Sequence, residues 1–165
     1  MSVSRLATFA LTAFITLWAA SVSASIVVTI DKSTQRMMVE VDGRPRWVWP
    51  VSTGRPGHDT PSGRYTAFRM EADHFSKEWD DAPMPHSIFF SQKGHAIHGS
   101  LNTGRIGLPA SHGCVRLTPE NAARLYALVE KEGLSNTTVV VKGDLHNATL
   151  HRGAYPGPRP LRPFG

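Results

Sequence analysis

The sequence predicts a mainly β domain with one principal helix. Three observations carry this. Short β-branched runs recur between turn-rich segments: IVVTI at 26–30, MMVEV at 37–41 and TVVVK at 138–142. One stretch, 119–132, has a helical apolar stripe with a start signal and a stop. At 165 residues and 41% hydrophobic, the chain can bury a single core, which argues against wholesale disorder.

Residues 1–24 read as a secretory signal peptide. Arg5 supplies a positive start, Leu6 to Ala20 an apolar run, and Val22-Ser23-Ala24 small residues for cleavage. The run falls short of the ~20 apolar residues a spanning helix needs. The alternative is an uncleaved N-terminal anchor, the one way a membrane would enter the picture. Export to the periplasm or cell envelope is therefore expected, and residues 1–24 are set apart from the fold.

After the leader, the IVVTI and MMVEV strands pair through the polar turn DKSTQR. Arg46 to Val51 alternates, with Trp47 and Trp49 on one face, and Pro50 marks an edge or a strand end. Ser52 to Gly63 holds three Gly and two Pro and reads as a loop. Arg64 to Met70 reads as one strand. Glu71 to Pro85 is polar and broken by Pro83 and Pro85, so it reads as a long connector and a candidate lid. SIFFS at 87–91 and HAIH at 95–98 read as buried strands. Thr118 is the N-cap of the helix, Pro119 its first residue, and Glu120 complements its dipole. Ala122, Leu125, Leu128 and Val129 form its apolar stripe, and Gly133 stops it. The domain is taken as 25–143, and 144–165 as a flexible Pro/Arg-rich tail.

Net charge is +5, which invites a nucleic-acid reading. The distribution opposes it. Residues 25–151 carry 14 bases and 13 acids, and Arg152, Arg159 and Arg162 crowd the end. A near-neutral body lacks the clustered basic face that duplex binding requires.

The chemistry concentrates in His95–Leu117, HAIHGSLNTGRIGLPASHGCVRL. It holds the single cysteine, Cys114, which cannot form an internal disulfide and is either a buried apolar thiol or a reactive one. Its glycine-rich polar setting favours the reactive reading. Cys114 stands four residues before the helix cap, and a helix start, His112 and Arg116 would all favour a thiolate. A thiol pKa near or below neutrality is expected. His98 ends a strand beside Gly99, and a cysteine beside an imidazole is the usual arrangement for acyl transfer. Zinc is the rival reading of eight histidines, but His95 and His98 would point to opposite faces of a strand, so no metal is expected. Trp47, Trp49 and Trp79 are read as packing residues rather than sugar platforms. The sequons at Asn136 and Asn147 carry no role by themselves.

These residues resemble the signature of the L,D-transpeptidase catalytic-domain family (YkuD-like). His98-Gly99, a spacer, then Ser111-His112-Gly113-Cys114-Val115-Arg116 is similar to its active-site block. Pro50-Val51-Ser52-Thr53-Gly54 with Thr60-Pro61-Ser62-Gly63, and Met84 to Phe90, resemble two upstream blocks. Three ordered blocks are far more specific than a lone Ser-His-Gly-Cys. The resemblance implies a β-sandwich or barrel with the helix after the active-site loop. It implies Cys114 as nucleophile and His98 as general base and acid, without a cofactor. The backbone of His112, Gly113 and Cys114 would supply an oxyanion hole. Ser111 would fix the loop, and His112 would orient the loop or tune the thiolate. Arg116 would bind a substrate carboxylate or brace the loop. The implied partner is the peptidoglycan stem peptide. The acceptor is open: a second stem, water, or the lysine of a wall-anchored protein. The competing readings are a carboxypeptidase on the same scaffold and a wall-binding module without turnover.

Overall fold

The computed structural model describes residues 23–78 and 80–145. The expected leader up to residue 22, Trp79, the Asn147 sequon and the tail beyond residue 145 lie outside the described residues. Among those described, no helix is long and apolar enough to cross a membrane.

Two sheets and one helix enclose a shared core. The first sheet begins with β1 (Ile26–Asp31), β2 (Arg36–Val41) and β3 (Arg44–Pro50) in antiparallel succession. Asp42 and Gly43, both at positive φ, make the tight turn between β2 and β3. β4 (Gly63–Thr66) and the late strand β9 (Thr137–Lys142) complete the order β3-β2-β1-β9-β4. β1 runs parallel to β9, with Ile26 opposite Thr137. Alternation fixes the inward face: Ile26, Val28, Ile30, Met37, Val39, Val139 and Val141 are fully buried. β3 is one of the two edge strands, consistent with Pro50 at its end. Trp49 is buried, and Trp47 stacks on it with ring centroids 4.8 Å apart.

The second sheet has the order β5 (Arg69–Ser76), β6 (Ala82–Phe89), β7 (Ala96–Gly99), β8 (Val115–Leu117). It supplies Ile88, Ile97, Val115 and Leu117 to the same core. Helix α1 (Pro119–Glu132) packs against β6, β7 and β8 through Ala122, Leu125, Leu128 and Val129. Thr118 Oγ1 accepts the Asn121 N–H, and Gly133 ends the helix at φ 95°. Such a cap is worth ~1 kcal/mol. The mainly β class with one principal helix is borne out.

Two expectations fail. Arg64–Met70 is not one strand but parts of two, in different sheets. Ala67 N–H donates to Thr137 O at 3.0 Å in the first sheet, and Phe68 N–H donates to Phe89 O at 3.1 Å in the second. The chain changes sheets between these neighbours. Glu71–Pro85 is not a loop either. It forms most of the β5–β6 hairpin, and only the turn between Ser76 and Ala82 connects the strands. Pro83 and Pro85 are tolerated because β6 pairs with β7 only at Ile88 and Phe89. At the two prolines β6 is edge-like, where a missing N–H is acceptable.

Candidate active site

The site is built where β7 and β8 run side by side. Their parallel register sets His98 opposite Arg116 and Ile97 opposite Val115. Strand alternation then sorts the side chains. Ile97, Val115 and Leu117 enter the core, while His98, Arg116 and the preceding Cys114 share the other face. That face floors a cleft of about 690 Å³ walled by the β5–β6 hairpin and the segments around Gly94 and Leu101.

His98 is buried and its ring orientation is fixed. Its Nδ1 lies 2.7 Å from Gly99 O. A carbonyl can only accept, so Nδ1 carries the proton and Nε2 is the basic nitrogen of the neutral ring. Gly99 is required by close approach. A Cβ there would come within 3.1 Å of Pro85 Cγ and 3.2 Å of Pro119 Cα. Burial lowers the His98 pKa to about 4, aided by the Arg116 and His74 charges against the opposing pull of the Gly99 carbonyl. At neutral pH the imidazole is a free base.

Cys114 is half-buried against the small cluster of Met84, Phe89 and Ala96, and its thiol lies 4.0 Å from Gly94 O. Burial pushes the Cys114 thiol pKa up, outweighing a backbone hydrogen bond at Ala96 and the Arg116 charge. This corrects the expected acidic thiol. The three residues of β8 stand between Cys114 and the Thr118 cap. The resting pair is neutral thiol and neutral imidazole.

The loop before Cys114 is cross-braced. Ser111 Oγ accepts the Gly113 N–H at 3.1 Å and donates to Cys114 O at 2.5 Å. Gly113 N–H is thereby engaged by the Ser111 hydroxyl. Gly113 sits at φ 121°, and a Cβ would meet the His95 ring at 3.0 Å, so only glycine fits. His112 lines the cleft and packs edge-on against His58, with centroids 5.1 Å apart. Partial burial, then Arg55, lowers its pKa. Arg116 is half-buried. Its backbone bonds Ser52 in both directions, and its guanidinium reaches Ala110 O at 3.5 Å. It thus braces the loop while lining the cleft.

His95 departs from expectation. It precedes β7, so strand alternation does not apply, and it lines the same cleft as His98. Its Nδ1 is 3.1 Å from Ser91 Oγ. Among the described residues, no three His, Cys, Asp or Glu side chains are grouped to hold a metal ion. Sequence reasoning missed the charge of the walls. Arg69, Lys77, Lys93 and Arg116 line the cleft against Glu78 alone. Lys77 comes from the segment read as a loop and Arg69 from the strand misassigned just before it, and the near-neutral total hid their clustering. His74, also in the wall, is held by Glu71 at 2.5 Å.

Comparison with known proteins gives a consistent result. The family model for the L,D-transpeptidase catalytic domain matches residues 25–141. YqjB of Bacillus subtilis (strain 168), itself only a candidate L,D-transpeptidase, is 25% identical over 114 residues, 62% of this chain and 65% of that protein. An L,D-transpeptidase of Stackebrandtia nassauensis superposes with a TM-score of 0.65 at 29% identity, over 74% of this chain and 58% of that one. One from Mycobacterium smegmatis gives 0.65 at 25% identity, over 72% and 59%. The chain spans less than two thirds of the length of each of these relatives. With the match extending over nearly the whole described body, the chain belongs to the L,D-transpeptidase (YkuD) catalytic-domain family.

Proposed function

We propose that the protein is an exported cysteine L,D-transpeptidase acting on peptidoglycan stem peptides. The observation that carries this is the common face of Cys114, His98 and Arg116 at the floor of a cationic cleft. Arg69, Lys77, Lys93 and Arg116 outnumber Glu78 in the lining, with Arg69 also paired to Glu71, and this excess suits a peptide rich in carboxylates; the apolar leader accounts for delivery to the wall.

The mechanism follows from the protonation states. The neutral thiol of Cys114 passes its proton to His98 Nε2 as sulfur attacks the carbonyl at the L-centre of the third stem residue. A thiolate therefore exists only as the C–S bond forms. The Cys114 N–H, with other backbone donors of the cysteine loop, stabilises the oxyanion, an effect often worth about 2.7–4 kcal/mol per donor. The imidazolium, unfavourable in its buried site, returns its proton to the departing D-alanine amine. A thioester remains. A second stem's side-chain amine attacks it to give a 3–3 crosslink. Water in its place gives carboxypeptidase activity, and a protein lysine gives attachment of a wall-anchored protein.

The test is intact-protein mass spectrometry with disaccharide-tetrapeptide, comparing wild type with Cys114→Ala and analysing the products from the same tubes. A thioester adduct absent from Cys114→Ala, D-alanine release and crosslinked dimers are expected. Trimmed stems alone would replace transferase by hydrolase. Binding to sacculi with neither adduct nor D-alanine would refute turnover altogether.

A further inference from the structure

The segment 52–60 lies outside the chemistry described so far, yet it is wrapped around the cysteine loop. Ala110 N–H and Ser111 N–H both donate to Thr53 O at 3.0 Å, and Arg55 N–H donates to Ser111 O at 3.0 Å. Gly54 lets the chain fold back on itself: a Cβ there would lie 1.8 Å from His58 O. The fold-back delivers Thr60 into the interior, where it is fully buried.

Thr60 engages both its hydroxyl and its carbonyl. Its Oγ1 accepts the Gly54 N–H at 2.9 Å and donates to Gly113 O at 2.8 Å. Its carbonyl accepts from Lys32 Nζ at 2.9 Å. Lys32 is itself buried, pairs with Asp59 Oδ2 at 2.6 Å, and is tied by its backbone N–H to Lys142 O at 2.9 Å. A hydrogen-bonded line therefore runs from the first sheet, through Lys32 and Thr60, to the peptide that joins Gly113 to Cys114. That peptide is planar and trans, so fixing Gly113 O toward Thr60 sets the Cys114 N–H in the opposite direction.

We propose that Thr60, seated by the buried Lys32 ammonium, is a positioning residue for the reaction. It fixes the Gly113–Cys114 peptide plane, and with it the direction of the one N–H that belongs to the nucleophile itself. Gly113 at positive φ has no side chain to resist rotation of that plane, and its own N–H is held only by Ser111. Without the Thr60 bond the plane is free to rock, and an oxyanion donor aimed a fraction of an ångström wrong loses much of its value. The catalytic part of this proposal rests on Cys114 being the nucleophile; the positioning part does not.

The experiment separates the two. Wild type, Thr60→Val, Thr60→Ser and Lys32→Met are compared by steady-state D-alanine release from disaccharide-tetrapeptide. Amide hydrogen exchange over 110–117 and urea unfolding are measured on the same samples. Thr60→Val is expected to lower kcat by about 10- to 100-fold with KM within about twofold, and to speed exchange in that loop while the sheets stay protected. Thr60→Ser, which restores the hydroxyl, is expected to recover kcat to within about threefold of wild type, with Lys32→Met in between. Faster loop exchange in a chain whose wild type releases no D-alanine would refute the transpeptidase reading and leave the positioning role standing. The proposal is overturned if Thr60→Val keeps wild-type kcat and loop exchange. It is equally overturned if activity falls only with the unfolded fraction, or if Thr60→Ser fails to rescue.

Discussion

Replacing His98 by glutamine offers a quantitative check on the electrostatics of the site. Burial holds the imidazole pKa near 4, against an ordinary value of 6.5. Above pH 6.5 the ring is neutral in both folded and unfolded chains and protonation contributes nothing. As pH falls from 6.5 toward 4, the unfolded chain takes up a proton that the folded one refuses, so stability is lost across this window. Linkage gives a loss of about 2 kcal/mol between pH 7 and pH 4.5 from this group alone. Glutamine can still donate to Gly99 O but does not titrate. The assay is urea unfolding followed by tryptophan fluorescence for both proteins at pH 7, 6, 5 and 4.5. Other titrating groups are shared and cancel in the difference. Wild type is expected to lose about 2 kcal/mol more than His98→Gln over this range. Acid curves that stay parallel would show that His98 takes up its proton in place. Its folded pKa would then lie near the ordinary 6.5, and the argument that burial makes the imidazolium unfavourable would fail.

Further outcomes follow from the same geometry. Iodoacetamide alkylation of Cys114 should rise with pH through a midpoint above the 9.0 of an ordinary thiol; a midpoint near 7 would restore the thiolate ground state. Gly99→Ala should destabilise the fold by ~1–3 kcal/mol, because its Cβ meets the backbone of Pro119 and the ring of Pro85. An unchanged urea midpoint would mean that the helix start yields freely there. Lys77→Ala with Lys93→Ala should raise KM for the tetrapeptide about tenfold with little change in kcat, since rim charges bind ground and transition states alike. A fall in kcat at constant KM would place these lysines in the chemistry instead.

What was legible in the sequence was what local signals specify. Thr118-Pro119-Glu120 and Gly133 bracket the helix, and its four apolar positions are the four it buries. His98 and Cys114 were singled out from a strand end and a glycine loop, and one register of β7 on β8 brings them to the same face. The hairpin of 69–89 was illegible because much of it is polar and exposed and its second strand carries two prolines. The break at Ala67-Phe68 was illegible because each N–H finds its partner in a different sheet, a choice made by tertiary packing. The thiol pKa was misjudged for a related reason. The three residues between Cys114 and the helix cap form β8, and burial of the thiol is the largest influence on it. Thr60 was visible only as part of a block and showed no chemistry of its own until its hydroxyl was found on Gly113 O.

The placement of β9 has a consequence for how the protein comes into being. This last strand is an interior member of the first sheet, between β1 and β4, and its Lys142 carbonyl receives the backbone of Lys32. Until residue 142 is available, β4 has no partner and Lys32 lacks that tie, so Thr60 has no firm seat beneath the cysteine loop. A growing chain therefore carries the side chains of the cleft before it can align them. Alignment of the cleft waits on the final strand, so a chain that stops short of it has the groups of the site without their arrangement.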